Sequence, residues 1–251
     1  MQEKTYSISI VNYFNTLPFV YGIEHTELKN KIDLQFDIPS VCAEKLINQQ
    51  VDIGLIPVAA LTQLSNYHII TNFCIGSNGP VDSVKLFSNQ PLENIKTILL
   101  DYQSRTSVKL VQVLCREWWK VNPEFINAEK GFENKIDGTT AAVIIGDRTF
   151  SIKGKYLFEY DLSVEWKKLT GLPFAFAVWV STKKIEDRAF LKEFDAALKF
   201  GVNHIENALM EKKITFENFD SLDYLKNKIS YPLDSEKLRA IDLFINKITS
   251  N

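Results

Sequence analysis

Ser104, Arg105, Thr106 and Ser107 stand together in the stretch LLDYQSRTSVKL, where an apolar run ends and a helical pattern begins. Hydroxyls, a guanidinium and the free backbone N–H groups of a helix start can surround one anion, and the helix dipole adds to the field. A carboxylate suits such a cradle. The bland account, in which Ser104 or Thr106 only caps the helix, is sufficient for an isolated turn of this kind. Three further donor-rich turns follow strand-like runs, at Asn15-Thr16, at Pro39-Ser40 and from Ser77 to Ser83. Several cradles at one crevice would fit a small polyanion.

Asp101 and Asp147 also end apolar runs, and each is a candidate acid or base, although acids at strand ends more often form turns or cap helices. His25, His68 and His204 fall in none of the polar turns and make no HExxH or His/Cys cluster, so no metal site is expected. The absence of GxGxxG, GxxxxGK[ST] and GxSxG leaves nucleotide and serine-hydrolase readings without their motifs. Cys42, Cys74 and Cys115 lack CxxC spacing and read as reduced, buried small hydrophobes.

The elements that must position these groups alternate in type. Residues 5 to 12 alternate as a strand and lead through Asn15, Thr16 and Pro18 into a helix. IDLQFDIPS places Ile32, Leu34, Phe36 and Ile38 on one face of a second strand, after which Ser40 can cap a helix. VDIGLIPVAAL gives a short buried strand and a helix opened by Pro57. IITNFCIGSNGPVDSVKLFS holds two strands joined by a loop, KTILLD and AAVIIGD are further strands, and the spacing predicts a helix over 106–119. Asp161 can cap a helix ending at Thr170-Gly171, and PFAFAVW then reads as a buried strand. From about residue 186 the pattern is helical to the end. Strands alternating with helices, with polar clusters at strand carboxyl ends, describe an open α/β sheet with its ligand crevice there. Two α/β lobes are expected, 1–89 with 178–251 and 90–177, so that the first is discontinuous in sequence.

Hydrophobic residues make up 45% and charged residues 24% of 251, an ordinary globular balance. With 29 Lys+Arg against 31 Asp+Glu, a net charge of −2 and no basic block, nucleic acid is not an expected partner. The N-terminal apolar run is too short and too interrupted for a secretory h-region, which points to the cytoplasm. No segment reaches the roughly 18 apolar residues of a membrane span. Oligomeric state is not legible.

Six blocks, in order, resemble the MqnA family, the chorismate dehydratases of the futalosine route to menaquinone: VNYFNTLPFVYGIE, PSVCAEKLINQQVDIGLIPVAAL, CIGSNGPVDSVKLFS, LDYQSRTSVKL, IGDRTF and DLSVEWKKLTGLPFAFAVW. The match spans about residues 6 to 180. It implies a type II periplasmic-binding-protein-like fold whose two lobes close on chorismate, a small-molecule dicarboxylate, and eliminate water to leave 3-[(1-carboxyvinyl)oxy]benzoate without metal or organic cofactor. The resemblance puts the family's catalytic asparagine on Asn15, with Ser40, Ser77, Ser83, Ser104, Arg105, Thr106, Ser107 and Asp147 as substrate-binding positions. An amide exchanges protons poorly near neutral pH, so Asn15 would hydrogen-bond the departing hydroxyl or the enolpyruvyl group, and the base must lie elsewhere. Asp82 departs from the family pattern, since an acid beside a dianion repels it unless turned away. The rival readings are 1,4-dihydroxy-6-naphthoate synthase of the same pathway, which relies on a histidine, and a cytoplasmic binding protein or sensor for a small aromatic or dicarboxylate anion.

Overall fold

Tyr6–Val11 (β1) alternates in sequence, yet five of its six residues are buried, because it runs between two neighbours inside a sheet. In a computed structural model describing residues 5–217 and 219–250, β1 pairs in parallel with Ile32–Asp37 (β2) and Ile53–Pro57 (β3). The sheet continues through His68–Ser77 (β4), after which Val84–Ser88 (β5), Thr97–Leu100 (β6), Glu124–Asn127 (β7), Thr140–Ile145 (β8) and Phe158–Asp161 (β9) build a second sheet. Phe174–Ser181 (β10) and Ser230–Pro232 (β11) return to the first. Strand orders are β11-β4-β10-β3-β1-β2 and β7-β6-β8-β5-β9.

Both sheets are mixed, since β10 is antiparallel to β3 and β4 and β5 is antiparallel to β8 and β9. The chain therefore changes sheet between Ser77 and Val84 and again between Asp161 and Phe174. This corrects the expected lobe limits near 89 and 178. Val84–Ser88 lies in the second sheet, and all of Phe174–Ser181 lies in the first, because pairing partners rather than local composition decide sheet membership.

Helices Leu17–Glu24 (α1), Pro39–Ile47 (α2), Thr106–Leu114 (α3), Arg148–Ile152 (α4), Leu162–Thr170 (α5) and Arg188–Asn203 (α6) follow strands or turns. Beyond them lie Ile205–Lys212 (α7), the single turn Ser221–Asp223 (α8) and Ser235–Thr249 (α9). α1 crosses α6 so closely that a Cβ on Gly22 would lie 2.0 Å from the Ala197 carbonyl oxygen, and one on Gly201 would lie 1.7 Å from that of Pro18. Only glycine fits at either position. Asp161 caps α5 as expected, accepting the N–H groups of Ser163 and Val164 at 3.0 and 3.2 Å.

Three local expectations need correction. Phe36 is 48% exposed, because β2 is an edge strand and its outer residues lack a covering layer. Ser40 does not cap α2, since Pro39 already occupies its first turn and Ile38 stands at the cap position. The helix expected over 106–119 is α3 followed by a π-helical turn, Cys115–Trp119, which Lys120 ends at φ +56°. One large apolar core runs through both sheets, while β8 turns Ala142 and Ile144 into a smaller cluster with Phe87 and Phe132 on its opposite face. Among the described residues no helix is long and apolar enough to cross a membrane.

Candidate functional site

The carboxyl ends of β1, β3, β4, β6 and β8 converge between the two sheets, and the turns that follow them enclose a cavity of about 60 Å³. Val11, Pro57, Ile75, Val84, Ile145 and Phe176 form apolar walls. The polar lining is Tyr13, Asn15, Ser83, Ser104, Thr106 and Ser107. Among the described residues no Asp, Glu, His, Lys, Arg or Cys lines it, and Tyr13 is the single titratable side chain in the lining. Burial pushes the Tyr13 phenol well above its ordinary pKa, which leaves it a hydrogen-bonding group rather than a base.

Asn15 follows β1 in a short 3₁₀ turn and is 8% exposed. Its Oδ1 accepts no hydrogen bond, although a buried acceptor left unpaired costs about 1–3 kcal/mol. Its backbone carbonyl is held by the Tyr231 hydroxyl at 3.0 Å. Ser83, at the entrance to β5, accepts the Tyr224 hydroxyl at 2.8 Å. Ser104 accepts the Ser107 N–H at 3.0 Å, so the turn before α3 is partly satisfied by its own serine. The Thr106 hydroxyl donates to the Phe176 carbonyl at 3.1 Å and accepts the Ala59 N–H at 3.2 Å, joining α3 to the first sheet.

The structure thus brings Asn15, Ser83, Ser104, Thr106 and Ser107 to one cavity and leaves four expected residues off its lining. Arg105 turns outward, donating to Gln63 Oε1 at 2.7 Å and Glu44 Oε1 at 2.9 Å. Ser40 is represented in the wall by its neighbour Pro39. The Ser77 hydroxyl is 2.5 Å from that of Ser163 and ties β4 to α5. Asp147 accepts the Phe14 N–H at 3.1 Å on both carboxylate oxygens, and burial pushes its pKa up to about 6.

Asp101, the other candidate acid, is 1% exposed and committed to structure. It accepts the N–H groups of Gln103 and Ile145, each at 3.0 Å, and pairs with Arg148, which also binds Glu133 at 2.7 Å. Asp82 is answered by Lys85 at 3.0 Å, and that lysine also reaches Glu159 at 3.2 Å. Its charge is therefore met by a cation rather than left facing the cavity. Tyr13, Tyr224 and Tyr231 were missed in the sequence. Tyr13 sits inside the first matched block, and the other two interrupt a segment that reads only as helix.

Glu24, His25 and Glu211 bring three potential metal-ligand atoms within 4.8 Å of one another, but His25 and Glu211 are exposed and Lys212 already binds Glu24 at 2.8 Å. None of the three lines the cavity.

Two mixed α/β sheets meeting over a cavity at their strand ends make this a periplasmic-binding-protein-like fold. A protein from Archaeoglobus fulgidus superposes with a TM-score of 0.75 at 14% identity, covering 100% of this chain and 98% of that one. The chain belongs to the menaquinone biosynthesis family, which it matches over residues 6–250. A chorismate dehydratase from Thermus thermophilus is 25% identical over 194 residues, 70% of this chain and 69% of that protein. The alkanesulfonate-binding protein of Xanthomonas axonopodis pv. citri is also similar, with a TM-score of 0.62 at 12% identity over 98% of this chain and 94% of that one. So is a Candida albicans protein described as having the generic periplasmic binding protein fold, with a TM-score of 0.63 at 12% identity and coverage of 98% and 90%.

Proposed function

We propose that the protein is a cytoplasmic chorismate dehydratase, a hydro-lyase that converts chorismate to 3-[(1-carboxyvinyl)oxy]benzoate and water. The observation that carries this reading is a cavity with a buried, unpaired amide oxygen on Asn15 and several hydroxyls, but, among the described residues, no acid, imidazole or amine to act as a base. An elimination run there must find its base in the substrate. Chorismate carries one: the enolpyruvyl carboxylate takes the C3 proton, the C4–O bond breaks, and the proton passes to the departing hydroxyl as water. Aromatisation of the ring drives the step, and the protein supplies orientation and hydrogen bonds.

Asn15 and Ser83 are the polar groups assigned to the reacting face, and the α3 entrance at Ser104 and Ser107 is assigned to a carboxylate. The cavity is far below the roughly 300–1,000 Å³ of ordinary ligand pockets, so binding requires the two sheets to part and close again. The naphthoate synthase alternative is disfavoured because none of His25, His68 and His204 reaches the lining.

Incubation of the purified protein with chorismate, resolved by liquid chromatography and mass spectrometry, tests the reading. A product lighter by one water, formed equally with chelator present, is the expected result. Binding without conversion would instead establish a small-anion binding protein.

A further inference from the structure

Ser83, at the cavity, has a buried side-chain partner that does not itself line the space. The Tyr224 hydroxyl donates to Ser83 Oγ at 2.8 Å, and Tyr224 is 1% exposed. Its ring is fixed against Phe14, Phe150 and Phe219, with centroids 6.0, 5.1 and 5.2 Å away. Tyr224 opens a π-helical turn, Tyr224–Lys228, that continues α8.

We propose that Tyr224 is a positioning residue that sets the direction in which Ser83 presents its hydroxyl proton to the cavity. A serine hydroxyl has one proton and two lone pairs. With one lone pair engaged by Tyr224, and no protein acceptor for its own proton among the described residues, Ser83 is left to donate toward a ligand. Burial holds the phenol far above its ordinary pKa against the pull of its hydrogen bond with Ser83, so Tyr224 stays a donor throughout the working range. The relay runs one way, from Tyr224 to Ser83 to ligand, and each bond polarises the next.

Tyr231, seven residues on, holds the Asn15 carbonyl. The segment between α7 and α9 therefore fixes both polar groups assigned to the reacting face. Tyr224 touches no reacting atom and acts through its neighbours.

The inference rests on the dehydratase reading, and the experiment separates the two. With wild-type turnover of chorismate established, Tyr224→Phe is expected to lower kcat about 10-fold with KM changed less than about twofold. Ser83→Ala and the Ser83→Ala/Tyr224→Phe double variant should then have equal kcat, because the phenol has nothing left to orient. Leu225→Val, buried in the same turn without a polar role, serves as the stability control and should leave kcat unchanged. Tyr224→Met provides the same comparison if the Phe variant does not fold. Additive losses in the double variant, an unchanged kcat, or a change confined to KM would each overturn the assignment. If the wild type makes no product, the dehydratase reading fails by itself. The Ser83 side chain in a crystal structure of Tyr224→Phe then decides: several rotamers are expected, and the single wild-type rotamer would overturn the proposal.

Discussion

Arg105, at the start of α3, reaches across the gap between the sheets to Glu44 of α2, with 2.9 Å between Nη2 and Oε1. The Tyr13 hydroxyl to Gln103, the Phe14 N–H to Asp147 and the Thr106 hydroxyl to the Phe176 carbonyl bridge the same gap. In this arrangement the Arg105 guanidinium is engaged by Gln63 and Glu44. A partly exposed ion pair is worth about 0.2–1 kcal/mol, which corresponds to a change of a few-fold at most in an equilibrium. Glu44→Ala and Arg105→Ala should therefore shift the chorismate dissociation constant by similar factors, each under about fivefold. A loss above about 50-fold confined to Arg105→Ala, read by calorimetry, would instead put the guanidinium on the substrate.

That outcome shows where sequence reading succeeds and stops. Ser104, Thr106 and Ser107 reach the cavity because a strand-to-helix turn fixes their backbone direction within a few residues. Arg105 has a long side chain and an alternative partner 61 residues away, which no local pattern encodes. Asn15 was visible for the same local reason as the serines. Tyr224 was not, because its contact with Ser83 spans 141 residues and its segment shows only helical periodicity. The strands were legible from apolar runs, but the membership of Val84–Ser88 in the second sheet depended on pairing with β8 and β9.

Asp147 gives a pH signature. Its pKa stands at about 6 in the folded protein against an ordinary 3.8, because burial penalises the charged form more than the Phe14 N–H favours it. Between about pH 4 and 6 the native state keeps a proton that the unfolded chain has lost, so stability from this group is present below pH 4 and declines as pH rises through 6. The total is about 1–3 kcal/mol. In Asp147→Asn this component should vanish, and urea unfolding at closely spaced pH values would show a flatter profile across that window. An unchanged slope would mean that another group sets it.

Gly146 carries a steric obligation. Its φ is +70°, and a Cβ there would stand 2.8 Å from Cζ of Tyr13. Gly146→Ala therefore combines left-handed backbone strain with displacement of a ring that bridges to Gln103, at about 2–3 kcal/mol together. For a chain of this length the melting temperature should fall about 5–10 °C. Chorismate turnover should fall further than the stability loss explains, because Tyr13 lines the cavity. A variant with wild-type melting and turnover would show that the ring moves aside freely.

Asn15 joins stability and function with opposite signs. Its Oδ1 is buried without a protein partner, which is a liability to folding that a bound hydroxyl group would relieve. Asn15→Ala removes the orphaned oxygen and leaves the backbone carbonyl bonded to Tyr231, so the unliganded variant should be as stable as the wild type or about 1 kcal/mol more so. Turnover should fall at least about 100-fold, the scale of losing one oriented hydrogen-bonding group in a buried site. Asn15→Asp should be worse in binding as well, since it sets a carboxylate against a dicarboxylate where no cation among the described residues lines the cavity. Thermal melting with and without chorismate, alongside initial rates, separates these effects. An alanine variant that is markedly less stable yet retains turnover within threefold would remove Asn15 from the chemistry and make it a packing residue.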